Sequence, residues 1–308
     1  MISEHLSEFH GLRVHPVGQP ADAASVAWRV WGDPSFEDEE ESFPDCFQQL
    51  LDTVDCSRVR AIVVGTWGWA HDDDHADVPV RLLASSADRL PALEAIFLGD
   101  YVSEESEISW IGQSDITPLL TAYPRLKRLD VRGGVGLELQ PVTHTTLETL
   151  RFETGGLPAH VIRAVGAGDL PALRHLEMWL GTVHYGGDSG PADWADILDG
   201  SRLPALTHLG LQNSERQDEV AAAIASAPVV ARLETLDLSM GTFGDEGAEA
   251  LLAGQPLTHL KRLNLDNQYM SEEMLGRLLE ALPGVEVPHK AGETYGGSPG
   301  ERYIEVSE

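Results

Sequence analysis

"LPALRHLEMWL", residues 170–180, puts Leu173, Leu176 and Met178 at offsets zero, three and five. That spacing fits neither an amphipathic helix nor a plain alternating strand. In extended chain, side chains two apart share a face, so Leu176 and Met178 point one way and Glu177 the other. Leu173 breaks this parity and must turn inward where the chain bends into the strand. The same offsets recur at Leu93/Ile96/Leu98, Leu126/Leu129/Val131, Leu147/Leu150/Phe152, Leu206/Leu209/Leu211, Leu233/Leu236/Leu238 and Leu260/Leu263/Leu265, with Val59/Ile62/Val64 as an earlier member. A fixed motif recurring at intervals of a few tens of residues marks a repeat protein.

Between these segments lie pieces with apolar residues three and four apart: "PAHVIRAVGAG" from Pro158, "DEVAAAIASA" from Asp218, "DEGAEALLAGQ" from Asp245 and "SEEMLGRLLEAL" from Ser271. Each reads as a helix. Ser271 is an expected N-cap, with Glu272 and Glu273 in the first turn where the helix dipole favours them. The pattern L-x-x-L-x-L followed by a helix resembles the leucine-rich-repeat family, and the helical connections and "EGAEALL" resemble its ribonuclease-inhibitor type. The whole-length plan is similar to uncharacterised bacterial single-domain leucine-rich-repeat proteins.

The resemblance implies an α/β solenoid: a curved parallel β-sheet on the concave face, helices on the convex face, and protein or peptide recognition without catalysis. It covers residues 58–290, about eight units. Residues 1–57 are expected to form a small β-rich N-terminal cap, a strand pair from "GLRVHPV" and "SVAWRVWGD" plus a helix from "PDCFQQLLDTV", continuous with the solenoid. Residues 291–308 are expected to be a loop, after which "RYIEV" either returns as a capping strand or trails away. One departure from the family matters. The position three after the last apolar residue, often Asn or Cys, holds Trp67, Tyr101, Gly134, Gly155, Gly181, Ser214, Gly241 and Gln268. The four glycines predict a positive-φ turn in place of an asparagine hydrogen bond.

Composition narrows the partners. The 308 residues carry a formal net charge of −29, which disfavours nucleic acid and anionic membranes, since both require cationic surface. A protein or peptide, of basic character if charge steers it, is the expected partner. Two cysteines, Cys46 and Cys56, form no secreted-type framework. With no leader-like N-terminus and no long apolar run, a cytoplasmic protein is expected. Lysine occurs only at 127, 261 and 290 beside abundant Ala, Arg and Gly, as in proteins of GC-rich bacteria. A monomer is expected.

Residues at offsets two, four and six should project from the concave face. The candidate binding residues there are Phe97, Arg128, Arg132, Arg151, Glu153, His175, Glu177, Trp179 and His208, with Asp130, Gln212, Asp237, Arg262, Asn264 and Asp266 beside them. Arg128 and Arg151 can also pair with Asp130 and Glu153, leaving only a salt-bridged face. Three long insertions, "WGWAHDDDHAD", "YVSEESEISWIGQSD" and "TVHYGGDSGPADW", follow strands and bring Trp69, Tyr101 and Tyr185 to one rim. Trp194, which begins a helix, belongs to the core instead.

Chemical motifs are weaker. "HDDDHAD" supplies His71, Asp73 and His75 as a candidate metal site, without a known zinc spacing. An alternative reading is therefore a metal-dependent enzyme or accessory protein with a site in loops 71–77 and 184–190. "GDSGP" at 187–191 resembles a serine-protease nucleophile segment but lacks one glycine, and its residue types are those of exposed turns. "GAGDLP" lacks the third glycine of a dinucleotide fingerprint. No cofactor is implied.

Overall fold

In the computed structural model, which describes residues 2–32, 42–68, 76–293 and 301–307, eleven strands form one sheet laid down in chain order. They are β1 Glu8–Phe9, β2 Leu12–Pro16, β3 Val26–Val30, β4 Ala61–Val64, β5 Ala95–Leu98, β6 Arg128–Arg132, β7 Thr149–Glu153, β8 His175–Gly181, β9 His208–Ser214, β10 Thr235–Asp237 and β11 Arg262–Asn264. Only β1 with β2 is antiparallel; every later pairing is parallel. Beyond β11, Glu286 bridges Arg262 in parallel, so residues 282–289 extend the sheet edge by a single bridge.

The middle apolar residue of each motif pairs with its counterpart next door: Leu129 with Leu150, then Leu176, Leu209, Leu236 and Leu263. This ladder is almost wholly excluded from solvent. Leu173, the residue that broke strand parity, lies just before β8 in a turn closed by its amide to Leu170 O at 3.1 Å, and is fully buried.

Helices α1 Phe43–Thr53, α2 Val78–Ser85, α3 Thr117–Ala122, α4 Ala159–Ala167, α5 Pro191–Asp199, α6 Gln217–Ile224, α7 Asp245–Ala253 and α8 Glu272–Ala281 connect strands or close the array. Their apolar sides share one continuous core with the inward strand residues. Ser271 caps α8 by accepting from the Met274 amide at 3.2 Å. The connection from β6 to β7, residues 133–148, contains no helix and is tied instead by isolated bridges such as Gly112 to Val135 and Asp115 to Glu138. Among the described residues, no helix is long and apolar enough to cross a membrane.

Two expectations need correction. Of the four glycines three after the motif, only Gly181 has positive φ; the left-handed residue is generally one position earlier, at Gly133, Asn213, Met240 and Asn267. The later glycines serve close approach. A Cβ on Gly155 would lie 1.9 Å from Ser109 Oγ, and one on Gly241 2.2 Å from Gln217 Oε1. In place of an asparagine ladder, separate side chains close the bends: Gln113 Nε2 donates to Arg132 O at 2.7 Å and Gln217 Nε2 to Leu211 O at 2.7 Å.

The second correction concerns the C-terminal segment. Residues 301–307 form no strand but lie along the strand-to-helix rim. Asn267 donates to Tyr303 O, the Glu305 amide to Met240 O at 2.7 Å, and Asn213 clamps both backbone groups of Val306. Val306 is buried, and Ser307 O accepts from Ser109 Oγ.

Candidate functional site

Strand alternation sends His175, Glu177 and Trp179 to the face opposite Leu176 and Met178, and parallel register lines up equivalent residues of neighbouring strands. One row across this helix-free face reads Arg128, Thr149, His175, His208, Thr235, Arg262; the next reads Phe97, Asp130, Arg151, Glu177, Gly210, Asp237, Asn264.

The left end of the face is not open. Phe97 points to it as its offset requires, but it is only 1% exposed because the N-terminal hairpin folds over it. Phe9 meets Phe97 edge-on at 5.8 Å, within a second small core with Ala27, Ala61, Val63 and Ala95. Tyr101 is likewise interior. Its ring packs edge-on against Trp67 at 5.0 Å, its hydroxyl accepts from the Trp67 amide, and burial pushes the phenol well above its usual range. Trp194 is core, as its helical position suggested.

The centre is an ion network. Arg128 grips Asp130 with two bonds, at 2.9 and 2.7 Å, and Arg151 reaches Asp130 at 3.1 Å, Glu153 at 3.1 Å and Glu177 at 2.5 Å. Arg132 binds Glu153 at 2.8 Å and Tyr101 O at 2.7 Å, and both Arg132 and Glu153 are buried. Burial alone would lower the Arg151 pKa, but the carboxylates of Glu153, Glu177 and Asp130 raise it above the ordinary value. Burial would raise Glu177; the hydrogen bond from His175, the nearby His208 ring and the Arg151 charge instead hold it well below the carboxylate range. Most of the arginines expected to meet a partner are therefore already committed within the sheet.

Further accessible groups lie from β8 onward. His175 and His208 are half-buried and stacked, with ring centroids 3.8 Å apart and planes 8° from parallel. Their Nε2 atoms lie 2.8 and 3.1 Å from the same oxygen, Glu177 Oε1. This grouping was latent in the sequence: the two histidines hold the same place in successive motifs, and only the register was needed to join them. Trp179 and Tyr185 are half-buried, and the rings of Tyr185 and His184 touch edge-on at 4.7 Å. Further along, a recess of about 500 Å³ is lined by Gln212, Asn264, Asp266, Lys290 and Glu305, with Tyr303 of the C-terminal segment as one wall.

Trp69, His71, Asp73 and His75 lie outside the described residues. In the second candidate loop, Ser189 is buried and accepts from the Trp194 indole at 3.0 Å, while Asp188 accepts from the Ala159 amide at 2.8 Å at the start of α4. Both side chains thus serve structure: one fixes a core tryptophan, the other satisfies an orphan helix donor.

A sheet laid down in chain order, with an apolar ladder from L-x-x-L-x-L and helices on one side, defines a leucine-rich-repeat solenoid. Among solved structures, the chain is similar to an uncharacterised protein of Bacteroides fragilis, with 29% identity and a TM-score of 0.77, covering 85% of this chain and 73% of that one. Other likenesses are to an internalin of Listeria monocytogenes (18% identity, TM-score 0.43, 80% of this chain and 57% of that one) and to a leucine-rich-repeat protein of Leptospira interrogans (11%, 0.20, 86% and 90%). No family model matches the chain, and no curated protein matches it.

Proposed function

We propose that this chain is a non-catalytic recognition module that binds a basic protein or peptide segment. The contact surface is the open part of the helix-free face, from His175, Trp179 and His208 to Asn264 and Asp266, with the adjoining rim at Tyr185. The supporting observation is the recess beside β9 to β11, where Asp266 and Glu305 face a single Lys290 in a chain of net charge −29. A cationic segment would be steered there over distance and held by close charge pairs. The rim favours extended chain, since residues 301–307 already lie on it through backbone hydrogen bonds. A fold alone names no partner, so the assignment rests on charge and shape.

The test is fluorescence anisotropy with labelled extended peptides, Lys/Arg-rich against Asp/Glu-rich. Basic peptides should bind preferentially and weaken as NaCl rises. Trp179→Ala and Asp266→Asn, each confirmed folded by circular dichroism, should weaken binding about tenfold, the effect of losing an interface anchor. Equal binding of both peptide classes, or indifference to both substitutions, refutes the reading.

A further inference from the structure

We propose that His175, Glu177 and His208 form a binding site for one divalent transition-metal ion of the zinc class, set in the middle of the helix-free face with a coordination position left open. The inference is independent of peptide recognition and is tested without any partner.

The three side chains each offer one donor atom, and these atoms lie within 4.8 Å of one another. Two come from the directly paired residues His175 and His208 and the third from two residues further along β8. All are therefore fixed by strand backbone, the kind of rigid support that a metal site requires. Zinc–nitrogen and zinc–oxygen bonds of about 2.0–2.2 Å place neighbouring ligand atoms of a tetrahedral ion about 3.3 Å apart. The observed nitrogen-to-oxygen separations of 2.8 and 3.1 Å need to open by only a few tenths of an ångström.

The contacts also suit a cation better than they suit the protein alone. His208 Nε2 is inaccessible to solvent and, although 3.1 Å from Glu177 Oε1, makes no properly aligned hydrogen bond. A metal ion there accepts both imidazole lone pairs and the oxygen together once the two rings rotate out of their near-parallel stack, a side-chain torsion that leaves the strand backbone in place. The support is already in place. Arg151 Nε occupies Glu177 Oε2 at 2.5 Å, turning Oε1 towards the rings, and Arg151 is itself held by Asp130 and Glu153. Partners of this kind that orient a ligating carboxylate typically tune metal affinity. A mixed imidazole and carboxylate set selects zinc, copper, nickel or cobalt over calcium and magnesium, which require mainly oxygen donors. Three protein ligands leave a fourth position for water or an incoming donor.

Metal-stripped full-length protein titrated with Zn²⁺ by calorimetry should bind one ion per chain. Co²⁺ should give the visible absorption of a low-coordinate site, bleached by Zn²⁺ and unaffected by excess Mg²⁺. His175→Ala, His208→Ala and Glu177→Gln should each weaken Zn²⁺ binding about tenfold or more; His184→Ala and His289→Ala, elsewhere on the surface, should not. If a ligand variant fails to fold, nitrogen-15 spectra of the parent decide the matter, since Zn²⁺ must shift the Nε2 resonances of His175 and His208 before those of any other histidine. Absence of one-to-one binding at micromolar Zn²⁺, unchanged binding in the folded double variant His175→Ala/His208→Ala, or first shifts at other histidines overturns the proposal.

Discussion

Arg151 stands where three carboxylates converge, and its removal isolates the effect of that convergence. The Asp130 carboxylate is fully buried and that of Glu177 nearly so, leaving them little access to water once the guanidinium is gone. Removing one partner of a buried charge group typically costs about 3–5 kcal/mol, far more than an exposed pair. Arg151→Met, which keeps the apolar stem, should lower unfolding free energy by about 3 kcal/mol in urea titrations at pH 7. The pH dependence has a definite sign. Glu177 titrates in the folded state below its ordinary value of 4.5, so its pairing stabilises the fold above that pH and is lost as pH falls through the lower, folded-state value. The gap between parent and Arg151→Met should accordingly narrow below about pH 4.5. A gap under about 1 kcal/mol at pH 7 would place the network among weakly coupled surface pairs.

Elements were legible to the extent that their information is local. The L-x-x-L-x-L offsets locate β4 to β11, and three- and four-residue periodicity locates α4, α6, α7 and α8, because each repeat buries its own leucines against the next. The covering of one element by a distant one was not legible. Nothing near Phe97 signals that Phe9 will lie over it, nothing in "RYIEV" signals that Val306 will dock beside Asn213, and nothing local tells that Arg132 and Glu153 are buried together rather than offered to a partner. The site was partly visible for the same reason: residue orientation follows from strand parity, but exposure depends on what folds back. Glycine roles sort similarly. Gly155 sits against Ser109 Oγ and the Ser307 carbonyl, whereas Gly276, inside α8, has nothing within 4 Å of an added Cβ. Gly276→Ala should therefore stabilise by about 0.5–1 kcal/mol through helix propensity. Gly155→Ala should destabilise and raise hydrogen exchange at the Val306 amide by pushing the C-terminal segment off the rim. Thermal melts and exchange spectra of the two variants check this directly, and equal protection of Val306 in Gly155→Ala would show that the segment does not rest on that glycine.

Across the whole molecule, 50 acidic side chains oppose 21 basic ones. Successive helices pack side by side, so like charges on them repel at short range. Screening should relieve that repulsion. Between about 0.01 and 0.15 M salt the Debye length falls from about 30 to about 8 Å, less than the breadth of the sheet. Exposed pairs such as Lys261 with Glu234 and Arg277 with Glu249 will weaken as well, but pairs of this kind contribute only about 0–1 kcal/mol each. The Arg128–Asp130–Arg151 cluster, built around a buried carboxylate, is partly shielded by the protein and should change less. Net repulsion thus outweighs the surface pairs, and adding NaCl over this range should raise the melting temperature by a few degrees, the response to about 1 kcal/mol in a chain of this size. Calorimetric scans at fixed pH in the metal-stripped protein measure it. A melting point that stays level or falls would mean that the acidic side chains are locally compensated, and would remove the long-range field invoked for steering a basic partner.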